Sequence, residues 1–137
     1  MAYDRNENGL RSDGSKGHVL IADDAPFIIK QLTAMLRKEG YTVIGTAQNG
    51  QEALKIYQEK YPDIDLVTLD ITMPVLDGIT TLERILAYDK NAHVVMVTAN
   101  GNESLVKKTI TLGAKNYIVK PIVAEKALPR LEGAMRK

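Results

Sequence analysis

The stretch LVTLD at residues 66–70 sets a short apolar run directly before a single carboxylate, that of Asp70. Three other apolar runs also end at charged or hydroxyl side chains: HVLIA at 18–22 before Asp23 and Asp24, VVMV at 94–97 before Thr98, and YIV at 117–119 before Lys120. Continuous apolar runs of this length favour parallel strands that are covered on both faces. The carboxyl ends of parallel strands lie along one edge of their sheet, so we expect these polar groups to meet there.

The segments between these runs carry apolar residues at spacings of three and four, which indicates amphipathic helices. A further strand is predicted at 41–46, and a helix follows each strand, the last two at about 103–112 and 124–136. Five strands that alternate with five helices predict an α/β fold with a doubly wound parallel sheet. Such sheets bind their ligands outside the carboxyl ends of the strands, where these polar groups lie.

Length and composition limit the class of protein. The 137 residues carry a formal net charge of +1 and no cysteine, which predicts one domain at 18–137 without disulfides or thiolate metal sites. The charge gives no argument for nucleic acid, and no apolar run reaches the roughly 20 residues that span a bilayer. We therefore expect a cytoplasmic protein with no nucleic-acid or membrane partner. Residues 1–17 are polar and charge-balanced, which is typical of a disordered tail or a cloning remnant.

Three carboxylates at neighbouring strand ends predict a metal site. Mg²⁺ prefers oxygen ligands, and Asp23, Asp24 and Asp70 supply them. Crowded carboxylates repel one another unless a cation lies between them, and a divalent ion would also organise an incoming phosphoryl group. Asp70 stands alone after a buried strand and is the better candidate nucleophile, which would form an aspartyl phosphate. Lys120 and the Thr98 hydroxyl could then contact the phosphoryl oxygens.

Each of these side chains also has an ordinary interpretation. The Asp23-Asp24 pair could merely cap a helix, and Lys120 could be a solvated charge. Thr98 could be an ordinary strand residue and Tyr117 a packing residue. All of these ordinary interpretations would have to hold together at four correctly ordered strand ends. The combination therefore favours a phosphoryl-acceptor site over the separate structural roles.

The same residues resemble the receiver domain of two-component response regulators, and most of all a stand-alone receiver of the chemotaxis type. The resemblance covers residues 18–137 and rests on five motifs: VLIADD at 19–24, LDITMP at 69–74, DG at 77–78, VTA at 97–99 and GAKNYIVKP at 113–121. It implies the flavodoxin-like strand order 2-1-3-4-5.

The resemblance also implies a role for individual residues. The implied roles are Asp70 as phosphoacceptor and metal ligand, Asp24 as a direct metal ligand, Asp23 as the acid that orients metal-bound water, Thr72 as the donor of a backbone carbonyl ligand, Thr98 as the switch hydroxyl, Tyr117 as the switch aromatic and Lys120 as the site lysine. It further implies Mg²⁺ or Mn²⁺ as the cofactor and a cis peptide bond between Lys120 and Pro121.

Family mechanism implies partners and a class of function. A histidine kinase would donate the phosphoryl group, and the fourth helix, fifth strand and fifth helix would then bind a downstream protein, such as the flagellar motor switch; a phosphatase is a further partner. The chain would be a signalling protein that assists only its own phosphorylation and dephosphorylation. Three alternatives stay open: a receiver in a phosphorelay, an aspartate-nucleophile phosphohydrolase and a flavodoxin-like nucleotide binder. The phosphohydrolase usually has a second catalytic Asp where this chain has Thr72.

Two places depart from a smooth pattern. Pro129 falls inside the predicted last helix, so we expect that helix to be kinked or to begin late, near Leu128. Asp63 and Asp65 lie just before the third strand, and we expect both side chains to face solvent, far from the site.

Overall fold

The structure is a computed structural model that describes residues 9–99 and 102–137. Within these residues the chain alternates strand and helix as predicted. The strands are β1 (His18–Ala22), β2 (Thr42–Ala47), β3 (Leu66–Asp70), β4 (Val94–Thr98) and β5 (Asn116–Val119). The helices are α1 (Pro26–Lys38), α2 (Gly50–Lys60), α3 (Gly78–Tyr88), α4 (Glu103–Leu112) and α5 (Ala124–Met135).

The five strands form one parallel sheet in the order β2-β1-β3-β4-β5, which confirms the predicted fold. The register brings the carboxyl ends of the central strands level with one another. Ala22 of β1 pairs with Leu69 of β3, and Asp70 pairs with Val97 of β4. The residues that follow β1 and end β3 and β4 therefore share one edge of the sheet, as the sequence predicted.

Helices cover both faces of the sheet, which explains why the strands read as continuous apolar runs. Helices α2, α3 and α4 pack on one face, over a cluster that includes Leu20, Leu69 and Met96. Helices α1 and α5 pack on the other face, over a cluster that includes Ile21 and Val97. All five of these side chains are at most 1% exposed, and burial of each contributes roughly 1.5–3 kcal/mol to folding.

Residues 9–17 pack against the start of the sheet, although the composition suggested a tail. Arg11 Nη1 donates to both carboxylate oxygens of Asp65 at 2.9 Å, and the backbone N–H of the first β1 residue donates to the same carboxylate at 2.8 Å. Asp65 is only 3% exposed, so the expectation that it faces solvent is wrong, whereas the Asp63 side chain is 68% exposed. Residues 1–8 lie outside the described residues, where disorder stays a prediction.

Helix α5 is continuous across Pro129, from Ala124 to Met135. The expectation that it begins near Leu128 is therefore wrong, whereas the alternative expectation, a kink at Pro129, stays a prediction. An interior proline loses one backbone hydrogen bond and costs on the order of 3 kcal/mol. Ala127 and Leu131 of the same helix are fully buried against the sheet, and this burial offsets the loss. In the described part of the chain, no helix combines the length and apolarity that a membrane crossing requires.

Candidate metal and phosphoryl site

Three carboxylates lie together at the carboxyl edge of the sheet. Asp23 and Asp24 follow β1, and Asp70 ends β3; one oxygen of each lies within 4.8 Å of the others. Asp23 is 1% and Asp70 is 5% exposed, whereas Asp24 is exposed. The cluster therefore has two buried ligands and an open side at Asp24, through which a metal ion and a phosphodonor could enter.

The Asp70 carboxyl is electrostatically poised. Its burial, followed by the negative charge of Asp23, raises its pKa to about 6, although the Lys120 ammonium and the backbone N–H of Thr72 act in the opposite direction. That N–H donates to Asp70 Oδ1 at 3.3 Å. At neutral pH the group is ionised in crowded surroundings that disfavour its charge, and a cation nearby would relieve this.

Asp23 carries the clearest sign of a cation site. Its Oδ1 accepts from the backbone N–H of Ala25 at 2.9 Å, whereas its buried Oδ2 accepts no hydrogen bond of standard geometry from the described residues and has only an ion pair. Lys120 Nζ lies 3.0 Å from that Oδ2 and 3.6 Å from Asp70 Oδ2, and supplies charge to both. One ammonium cannot balance three carboxylates, and hard oxygen ligands suit Mg²⁺ or Mn²⁺. The donor set therefore fits a divalent cation held by Asp23, Asp24 and Asp70.

The helix-cap interpretation of Asp23 and Asp24 does not describe this structure. The N-cap residue of α1 is Ala25, no side chain caps it by a hydrogen bond, and Pro26 begins the helix. Helices α2 and α3, by contrast, have side-chain caps from Asn49 and Asp77. The two aspartates are thus available to the site.

Thr98 and Lys120 lie across the same edge. The backbone N–H of Lys120 donates to the carbonyl of Thr98 at 2.8 Å, which joins the ends of β4 and β5. The Thr98 hydroxyl donates to the carbonyl of Ala99 at 3.2 Å and accepts from Asn102 Nδ2 at 3.1 Å. The Lys120-Pro121 peptide bond is cis. The predicted hydroxyl and lysine therefore lie beside the carboxylates, and the hydroxyl bonds to its own loop rather than to Asp70.

The loop after Asp70 is held tightly under the site. The backbone N–H of Gly78 donates to the carbonyl of Ile71 at 2.8 Å. A Cβ atom at Gly78 would lie 2.1 Å from the backbone oxygen of Asp70, so only glycine fits. Thr72, the predicted carbonyl ligand, is an exposed residue of this loop.

Tyr117 lies on β5, half-buried, with its ring against Arg130 of α5. Sequence reasoning missed three neighbours of the switch residues, namely Arg130, Asn116 and Asn102. Asn102 precedes α4 and has the sequence position of a cap, but its side chain makes no cap hydrogen bond and bonds to Thr98 instead. No spacing rule could have found Arg130, because it belongs to a different element from Tyr117.

Comparisons with known proteins agree with this arrangement. The family model of the response regulator receiver domain matches residues 19–132. The chain is 48% identical over 133 residues to the chemotaxis protein CheY of Treponema pallidum, which covers 97% of this chain and 92% of that protein. It is 44% identical over 110 residues to the chemotaxis protein CheY of Bacillus subtilis, which covers 80% of this chain and 90% of that protein.

Solved structures of receiver domains also match this chain. The crystal structure of the CheX–CheY–BeF3–Mg complex from Borrelia burgdorferi superposes with a TM-score of 0.88 at 48% identity, and the match covers 95% of this chain and 98% of that one. The receiver domain of NtrX from Brucella abortus gives a TM-score of 0.81 at 30% identity, over 87% of this chain and 98% of that one. Sequence, strand order and the grouped carboxylates agree, and the chain belongs to the response regulator receiver domain family.

Proposed function

We propose that this chain is a phosphorylation-controlled switch of a chemotaxis-type two-component system, with Asp70 as the phosphoacceptor. The observation that carries the proposal is the position of Asp70, a buried carboxylate with a raised pKa between Lys120 and two further carboxylates. The similarity to chemotaxis proteins over nearly the whole chain supports the pathway. A histidine kinase as donor would also place the protein in the cytoplasm.

The chemistry is a transfer between two nucleophiles. An oxygen of ionised Asp70 attacks the phosphorus atom, the bond from phosphorus to the donor's imidazole nitrogen breaks, and that nitrogen keeps the electron pair. Asp23, Asp24, Asp70 and the carbonyl of Thr72 would hold Mg²⁺, which supplies positive charge to the phosphoryl oxygens when bound. Lys120, already 3.6 Å from Asp70 Oδ2, is placed to contact another phosphoryl oxygen.

Thr98 and Tyr117 would rearrange in response to the charge of the phosphoryl group. The Thr98 hydroxyl would exchange its bonds within the loop for one to the phosphoryl group, and Tyr117 would turn toward the space that this opens. Helix α4, strand β5 and helix α5, called here the output face, would then favour a second arrangement. A downstream protein, such as the flagellar motor switch, would bind the output face, and a phosphatase would reset the site.

Two neighbouring functions make different predictions. A phosphorelay receiver would use the same chemistry and differ only in its partners. An aspartate-nucleophile phosphohydrolase usually carries a second catalytic Asp two residues after its nucleophile. Thr72, two residues after Asp70, has no such group, so we propose no turnover of phosphoesters.

The test is phosphorylation by a small phosphodonor with Mg²⁺, read by intact-protein mass spectrometry. We expect one phosphoryl group per chain, none after chelation of Mg²⁺, and none on Asp70→Asn. Asp77→Asn is the matched control: it removes a carboxylate from the same loop, and asparagine still caps α3. Phosphorylation that persists in Asp70→Asn, or steady turnover of a small phosphoester, would overturn the proposal.

A further inference from the structure

Arg130 makes a contact that the proposed switch does not account for. Tyr117 packs on the α2–α4 side of the sheet, whereas α5 covers the opposite side, so Arg130 reaches Tyr117 around the edge strand β5. The guanidinium carbon lies 4.4 Å from the centre of the Tyr117 ring, within the range of a cation–π interaction.

Asn116 fixes this contact with hydrogen bonds from its side chain. Its Oδ1 accepts from Arg130 Nη1 at 3.0 Å and from the backbone N–H of Tyr117 at 2.9 Å. Its Nδ2 donates to the backbone carbonyl of Arg130 at 3.2 Å. Because Asn116 holds both the guanidinium and the backbone carbonyl of Arg130, the arginine side chain loses little further freedom when it stacks on the ring. The contact is therefore a built arrangement and not a chance approach of a long side chain.

A groove beside β5 offers the Tyr117 ring a second position. The groove, of about 610 Å³, lies between α4 and β5, and its lining includes Tyr117, Thr98, Val106 and Ile110. A ring that turned into this groove would approach Thr98 and leave the guanidinium. The two positions of the ring therefore compete, and Arg130 stabilises only the one at the strand edge.

We propose that Arg130 is a positioning residue that holds Tyr117 at the edge of β5 and so weights the switch toward its unphosphorylated arrangement. This inference rests on the proposed function. An interaction present in only one of two states shifts their ratio by its full strength. A cation–π contact of the usual strength corresponds to roughly a two- to thirtyfold shift, and the apparent affinity for a phosphoryl mimic changes by the same factor.

Two measurements on the full chain test this. The first is fluorine NMR of protein labelled with fluorotyrosine, in which the Tyr117 signal is assigned by its loss in Tyr117→Phe. The second is calorimetric titration with beryllofluoride and Mg²⁺. In Arg130→Ala we expect the Tyr117 signal of the free protein to move toward its position in the beryllofluoride complex, and beryllofluoride to bind at least twofold more tightly. Arg130→Lys keeps the charge without the flat stacking surface and falls between.

The controls distinguish the loss of the contact between Arg130 and Tyr117 from a general loss of positive charge. Arg136→Ala removes an exposed arginine just after α5 and should match the unmodified chain in both measurements. In a Tyr117→Ala background, Arg130→Ala should change beryllofluoride affinity by less than about twofold, because the ring through which it acts is gone.

The outcomes are distinguishable from those of the proposed function. An unchanged Tyr117 signal together with unchanged affinity in Arg130→Ala overturns the role of Arg130. A gain in affinity that persists in the Tyr117→Ala background also overturns it, since the effect would then bypass the ring. A complete failure to bind beryllofluoride contradicts the phosphoacceptor site, whereas the signal of the free protein still decides the position of the ring.

Discussion

Replacement of Asp70 by asparagine should make the metal-free protein more stable at neutral pH. Burial and the charge of Asp23 raise the pKa of Asp70 to about 6, above its ordinary value of 3.8. The folded state thus binds this proton more tightly than the unfolded state does. The stabilisation from this proton is fully present below the pKa of Asp70 in the unfolded chain and is lost as pH rises through about 6. At neutral pH the ionised Asp70 carboxylate therefore opposes folding.

The size of the effect follows from the two pKa values. The full difference corresponds to about 3 kcal/mol at 1.36 kcal/mol per pKa unit. Solvent reaches the open side of the site through exposed Asp24 and screens part of the repulsion. We therefore expect Asp70→Asn to gain about 1–2 kcal/mol in the free energy of unfolding at about pH 7.5.

Urea unfolding followed by circular dichroism measures this directly, with a chelator present. The gain of Asp70→Asn over the unmodified chain should shrink by at least half at about pH 4.5, where the folded unmodified protein carries Asp70 protonated. Asp77→Asn is the control and should stay within about 0.5 kcal/mol of the unmodified chain at both pH values. Mg²⁺ should narrow the difference by stabilising the unmodified chain. A variant no more stable than the parent near neutral pH, or a gain that grows on acidification, would refute this account of the site.

Three further substitutions test the fold around the site, each by urea unfolding. Arg11→Ala removes an ion pair to the buried Asp65 carboxylate and should cost about 3 kcal/mol; a loss below about 1 kcal/mol would show that this ion pair contributes little to stability. Thr68→Val removes a fully buried hydroxyl that has no hydrogen-bond partner among the described residues, and should stabilise by about 1 kcal/mol, whereas a loss would mean that the hydroxyl is bonded. Gly78→Ala forces a Cβ against the backbone oxygen of Asp70, and should cost about 1–3 kcal/mol and slow phosphorylation; full stability with unchanged phosphorylation would contradict the tight loop.

The sheet and its polar edge could be predicted because both depend on local sequence. A strand covered on both faces must be apolar along its whole length, so each run has a visible end, as at Asp70 and Thr98. Parallel pairing then places those ends side by side without further information. The grouping of three carboxylates is a consequence of topology, and the structure has it.

The features that were missed depend on pairs of residues far apart in sequence. The Arg11–Asp65 ion pair joins positions 54 residues apart, and a polar N-terminal segment gives no local sign that one arginine in it will be buried. The contact of Arg130 with Tyr117 likewise needs the path of α5 relative to the edge strand. The late helix start predicted from Pro129 fails for the opposite reason. The local cost of an interior proline is visible in the sequence, whereas the burial of the helix that offsets it is not.

Charge balance at the sheet edge links the site to the ease of switching. Among the described residues, three carboxylates face the Lys120 ammonium, which leaves two negative charges that a divalent cation would cancel. A dianionic phosphoryl ester in place of the Asp70 carboxylate then adds one net negative charge. In the proposed function, so small a change would redirect Thr98 only if the two positions of its hydroxyl differed little in free energy. Its present partners, the carbonyl of Ala99 and the Asn102 amide, are neutral groups of ordinary strength. A switch balanced this closely would respond to a single contact made in only one state, and the stacking of Arg130 on Tyr117 should then be measurable in the affinity for a phosphoryl mimic.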